Sequence, residues 1–220
     1  MRHCHVPGCG GRTSRYGRYC STHKSRVRRH GAPHQRGITK AELRPYIRLV
    51  QTRIDRNPGH PLWPHAEGLW GALVDHARGI CGHFAKGHAG NRYELLAARE
   101  LLKVAESVPA RGVIEAVWAM YLLLEDRPRR FTSDDAFRAQ LVRRVRGLSE
   151  MNVGEWFDPR EGRVKRAYRD LPPHAWKILA KWLASAFGGS GVFLAQLELR
   201  QREEKHQKAK MLAEAMKDIR

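Results

Sequence analysis

The chain has 220 residues and a mass of 25.2 kDa, room for one compact domain or two small ones. Its 42% hydrophobic content supplies a core and excludes wholesale disorder, while the longest apolar run, Val113 to Leu124, is broken by Glu115 and falls short of the ~20 residues that a membrane crossing needs. With 41 Lys+Arg against 22 Asp+Glu, the formal charge of +19 favours a polyanionic partner, nucleic acid first and an anionic membrane surface second.

The opening residues, Met1-Arg2-His3-Cys4-His5, carry charge with no apolar segment after them, so neither a secretory signal nor a lipidation motif is expected. A soluble, cytoplasmic protein follows as the expectation, one whose cysteines stay reduced and, where clustered, suit a metal better than disulfides. Residues 1–36 hold nine Lys/Arg and no acid, the first acidic residue being Glu42, and their only branched aliphatic side chains are Val6 and Val27. Hydrophobic burial alone cannot fold such a segment. Cys4, Cys9, Cys20 and His23 offer another means, since C-x4-C-x10-C-x2-H makes two close ligand pairs, the first turned by Pro7-Gly8 and followed by Gly10-Gly11. The spacing predicts one structural Zn2+ in a closed Cys3His sphere, with no open position for a substrate water. Sites of this kind contribute about 10–16 kcal/mol, enough to order a head without a core. His3 and His5 stand near enough in sequence to compete for the fourth position.

The run Cys4-His5-Val6-Pro7-Gly8-Cys9, then Tyr19-Cys20-Ser21-Thr22-His23 and Arg26-Val27-Arg28-Arg29-His30-Gly31-Ala32-Pro33, resembles the short zinc-binding segment of phage and mobile-element proteins, HNH-type homing endonucleases among them. The resemblance covers residues 1–36 only. It implies a phage or mobile-element origin, a bacterial host in which the protein would be nucleoid-associated, and a zinc module that touches nucleic acid. An HNH nuclease also needs paired histidines and an asparagine on a hairpin and helix; His83, His88 and Asn91 come nearest, without flanking strand signals.

Arg12, Arg15 and Arg18 lie between the ligand pairs, and Lys24, Arg26, Arg28 and Arg29 follow the last ligand on an expected helical turn. Together they form a nucleic-acid contact suited to phosphates or guanine edges, DNA being favoured over RNA. Neutralising five to seven phosphates predicts a slope of roughly −4.5 to −6 for log K against log salt.

From Ile38 the pattern is helical. Thr39 and Glu42 make a capping box before Leu43, Ile47, Val50 and Ile54, and Asn57-Pro58-Gly59 ends the run. Residues 57–64 read as a linker or loop, Leu69 to Ala77 as a second helix ending near Gly79, and Gly79 to Gly90 as a loop. Tyr93 to Val108 is amphipathic up to Pro109; Gly112 to Glu125 is the central buried helix; Thr132 or Ser133 caps a helix through Arg146. Asn152 to Asp170 is irregular with no hairpin signal, His174 to Phe187 is helical, Gly188-Gly189-Ser190-Gly191 reads as a hinge, and Val192 to Arg220 as a long charged helix. Ala209, Leu212, Met216 and Ile219 on that helix offer a surface for a homodimer.

A second basic patch comprises Arg129, Arg130, Arg143 and Arg144, continued by Lys165 and Arg166 with Trp156 and Tyr168 interleaved. No nucleophile elbow, P-loop or HExxH accompanies His76 with Cys81, Asp134 with Asp135, or Glu155 with Asp158, and Cys81 reads as a buried small residue. The fold class expected is mainly α: a zinc-finger module, zinc-ribbon or treble-clef-like, over 1–36, a helical domain over 37–187, and a hinge with a charged C-terminal helix over 188–220. The function expected is a non-catalytic DNA-binding transcription regulator or accessory factor that also contacts RNA polymerase or another host protein. A divergent nuclease or transposition enzyme, an inhibitor of a host system acting by protein interaction, and an RNA-binding protein are its rivals.

Overall fold

The computed structural model describes residues 2–218, with side chains throughout except at 152, 153, 155, 166, 167, 213 and 215–218. Among the described residues, seven α-helices and one hairpin follow each other as α1 (Ser21–His30), α2 (Lys40–Arg56), α3 (Leu62–Ala85), α4 (Arg92–Ser107), α5 (Ala110–Asp126), α6 (Asp134–Arg146), β1 (Val153–Asp158), β2 (Arg163–Tyr168) and α7 (Pro173–Asp218). The fold is mainly α, as expected. Residues 113–123 of α5 are buried on every side, which explains why that segment lacks a polar face. Helices α2, α3, α6 and α7 pack around it, and α4 meets α3 and α7. The caps lie where local chemistry puts them. Thr39 Oγ1 accepts from the Glu42 amide at 3.0 Å while the Glu42 carboxylate accepts from the Thr39 amide, and Ser133 Oγ accepts from the Ala136 amide at 3.1 Å.

Helix α3 departs from the sequence reading at both ends. It begins at Leu62 and runs through Gly79 and Gly82 to Ala85, because Ile80 and Cys81 prolong the stripe set by Ala66, Trp70, Val74 and Ala77. Packing of that stripe outweighs the ~1 kcal/mol that each interior glycine costs. The glycine past its end is Gly87, in the left-handed region at φ 79°. Cys81 is half-buried on this helix rather than enclosed. Helices α4 and α5 bend by 117° at their junction, where Pro109 stands as the N-cap of α5.

The expected hinge is helical. Gly188 to Gly191 lie within α7, with Gly188 and Gly191 against Tyr121 of α5, and a Cβ at Gly191 would come within 2.6 Å of the Tyr121 ring. The glycines admit a ring to the helix backbone, and Ser190 Oγ accepts from Trp118 Nε1 at 3.0 Å. By length and composition, Pro173–Leu212 is apolar enough to cross a bilayer, with 44% of its most apolar window buried inside the protein. Leu179, Leu183, Phe187 and Leu194 belong to the core. Further along, Met211 and Leu212 are exposed, whereas the Met216 side chain and Ile219 of the expected dimer surface lie outside the described residues.

A further correction is the antiparallel hairpin within the stretch read as irregular. Its turn is Asp158-Pro159-Arg160-Glu161-Gly162: Asp158 Oδ1 accepts from the Arg160 amide at 2.9 Å and Gly162 takes φ 61°. Trp156, Phe157 and Val164 on its two faces are exposed, so no apolar and polar alternation marks the strands.

Candidate metal centre and basic face

Two backbone devices bring the four ligand residues together. Residues 4–11 fold back on themselves: the Cys9 amide donates to Val6 O at 3.0 Å, the Cys4 amide donates to Gly11 O at 2.9 Å, and Gly8 sits at φ 73°. Cys20 is the N-cap of α1 and His23 lies in its first turn, so an i, i+3 spacing aims both at one point. The ligand atoms of Cys4, Cys9, Cys20 and His23 all lie within 4.8 Å of one another. His23 Nδ1 is 3.3 Å from Cys20 Sγ and 3.5 Å from Cys4 Sγ, and Cys9 Sγ is 3.9 Å from Cys20 Sγ. Bonds of about 2.3 Å to sulfur and 2.0 Å to nitrogen place tetrahedral ligands roughly 3.5–3.8 Å apart, so the cage fits a metal ion. His3 and His5 are exposed and outside it.

Gly11 packs directly against the cage. A Cβ at Gly11 would lie 3.0 Å from Cys20 Cβ and 3.3 Å from the sulfurs of Cys9 and Cys20. Desolvation opposes ionisation of Cys4, yet backbone contacts with Cys20 and Val6 draw its thiol below the ordinary value. At Cys9 the Gly11 backbone favours the thiolate, but desolvation and the neighbouring Cys20 and Cys4 push the thiol up. Three crowded sulfurs ionise together only with a cation among them.

The segment after α1 ties this centre to the helical body. Gly31 ends α1 at φ 82°, and a Cβ there would strike Asp135 O at 2.3 Å. Gln140, fully buried in α6, accepts from the Ile38 amide at 3.0 Å, which leaves its Nε2 to donate to His30 Nδ1 at 3.1 Å. His30 is thereby held neutral, and burial, with Arg143 next, lowers its pKa. Gln35, also buried, accepts from the Thr132 amide and donates to the carbonyls of Arg36 and Arg130. The Arg29-His30-Gly31-Ala32 part of the motif is therefore the seam between head and body. Sequence reasoning missed Gln35 and Gln140, since a buried glutamine in a polar stretch has no spacing to mark it.

The basic residues divide by environment. Arg12, Arg15, Arg18, Lys24, Arg26 and Arg28 are exposed and, among the described residues, have no acidic partner. Arg29 donates to Asp170 at 2.8 Å. In the second patch, Arg129 is exposed while Arg130 turns inward to Glu42 and the carbonyls of Arg36 and Gly37. Arg143 and Arg144 are half-buried, Lys165 pairs with Asp158 and Glu161, and the Arg166 side chain lies outside the described residues. His83 and His88 stack at 4.7 Å, and Asn91 is spent capping α4 through the Tyr93 amide. His76 meets the Trp182 ring edge-on, and Asp134 and Asp135 occupy the first turn of α6. No protein-family model matches the chain, and no significant match was found among curated proteins or solved structures.

Proposed function

We propose that the protein is a zinc-containing, non-catalytic nucleic-acid-binding protein, soluble and cytoplasmic, that reads or clamps duplex DNA in preference to RNA. The donor set of three thiolates and one imidazole suits zinc above harder ions. On this reading the ion orders the head, and α1 carries Lys24, Arg26 and Arg28 to phosphates or base edges while the helical body engages a protein such as RNA polymerase. The motif of residues 1–36 supports a transcription regulator or accessory factor of a phage or mobile element. The observation that carries the proposal is the set of six exposed cations without acidic partners on a segment that its metal ligands hold in shape.

The test is fluorescence anisotropy of the zinc-loaded protein with labelled duplex DNA and duplex RNA over a salt series. A slope of roughly −4.5 to −6 is expected with DNA, reduced by about two in Arg26→Ala/Arg28→Ala. Absence of DNA affinity at low salt, with capture of a defined host protein at high salt, overturns the proposal.

A further inference from the structure

Among the described residues, four buried side-chain polar atoms have no hydrogen-bond partner: Arg143 Nε, Arg144 Nε, Tyr168 Oη and Trp176 Nε1. Two of them belong to residues of a single crevice. The Arg143 guanidinium lies 5.6 Å from the centre of the Tyr168 ring, and Arg143 and Trp176 line a crevice where α1, α6 and the start of α7 meet. Three of the four atoms are N–H groups that only donate, and the hydroxyl can donate as well. Arg28 and Arg29 enter the same crevice from α1. Acceptors are few there. Asp170 takes Arg29 Nε at 2.8 Å and Arg143 Nη1 at 3.4 Å, while Glu100 is bound to Arg146 at 2.7 Å. Burial holds Arg144 below its ordinary pKa and the charge on Arg143 adds to that shift, as where cations crowd without enough counter-anion. Trp176 is 5% exposed, so its indole N–H is withheld from bulk water. Buried donors without acceptors are destabilising, and the group that would satisfy several at once is an oxyanion rich in acceptors.

We propose that this crevice is a phosphate-binding site, in which the Asp170 carboxylate holds the place of the phosphate until a phosphate group displaces it. The open space amounts to about 10 Å3, on the order of one water, so the ligand enters only as the Asp170 side chain withdraws. Arg28 belongs both to the crevice and to the exposed face of α1, so a nucleic-acid backbone tracked by α1 reaches this point. With that source of phosphate the inference rests on the nucleic-acid reading; with free inorganic phosphate it stands alone.

The indole N–H resonances of the full-length, zinc-loaded protein, with that of Trp176 identified through Trp176→Phe, are followed by NMR in separate titrations with inorganic phosphate and with a DNA duplex. Both ligands are expected to move the Trp176 resonance. Asp170→Asn, which removes the competing charge, tightens phosphate binding about fivefold, the scale of one modest ion pair. Arg143→Gln weakens it about tenfold, as loss of a charge-assisted contact does. A Trp176 resonance unmoved by either ligand, while the duplex binds with its expected salt slope, overturns the site and leaves the nucleic-acid reading intact. Movement with phosphate in a protein that binds no duplex supports the site and removes that reading alone. Unchanged phosphate affinity in Asp170→Asn overturns the displacement.

Discussion

Trp118 at the centre of the body has no exposed surface and touches Trp63 and Ser190, within a cluster that draws on every helix from α2 to α7. The corresponding cluster in the head is Cys4, Val6 and Cys20, with Cys9 and Tyr19 against it, so that three of its five members are proposed metal ligands. One region is held by apolar area; the other, on the proposed reading, is held by coordinate bonds to a metal ion. Conditions that weaken either are expected to leave the other largely intact, and the seam of Gly31, His30 and Gln140 is where the two touch.

The largest separation is expected from the ligands. Cys9→Ser with Cys20→Ser removes metal binding on a scale of about 10–16 kcal/mol and with it the order of the head. Metal analysis falls to background and head resonances collapse in a two-dimensional NMR spectrum, yet helical circular dichroism changes little, because α1 is only ten residues long. Retained head order in that variant would falsify the coordinate-bond account. The converse change is Trp118→Ala, which costs about 3–5 kcal/mol and lowers the melting temperature while stoichiometric metal remains.

Gly191→Ala distinguishes a packing glycine from a hinge. A Cβ 2.6 Å from the Tyr121 ring costs about 1–3 kcal/mol by overpacking, measured by denaturant unfolding. A true hinge would gain about 0.4–1 kcal/mol from the stiffer residue, so a stabilised variant sinks the assignment. The smallest effect is at the seam. Because the folded pKa of His30 lies below its ordinary 6.5, the unfolded chain binds the proton first, and the contribution is lost as pH falls below that value. Protection of the Gln140 side-chain amide against proton exchange, relative to the intrinsic rate at each pH, is expected to fall from pH 7 to pH 5, and to lose that fall in His30→Asn, which keeps an acceptor without a titrating ring.

Features that depend on a few neighbouring residues were legible beforehand. The capping box of Thr39 and Glu42, the Ser133 cap and the apolar α5 each announce themselves within one or two helical turns. The Cys4, Cys9, Cys20 and His23 cluster was legible for the same reason, since tetrahedral coordination demands close pairs. The hairpin was not: its Asp158-Pro159…Gly162 turn is a recognisable signal, but strands exposed on both faces carry no alternation to go with it. Arg130 and Arg144 looked like members of a basic surface because composition gives charge and not direction; Glu42 draws one inward and burial takes the other.

The amino-acid order by itself determined the helical class, the metal-ligand pairs and the division into a coreless cationic head and an apolar body, because each follows from local spacing or from the amount of apolar surface at hand. Only the tertiary structure decided that Gly188 and Gly191 make room for Tyr121 and that His30 is pinned neutral by Gln140. It also decided that unpaired donors of Arg143 on α6 and Trp176 on α7 share a crevice with Asp170. These relations join residues tens of positions apart, and their energies exist only once distant backbones come within a few ångströms.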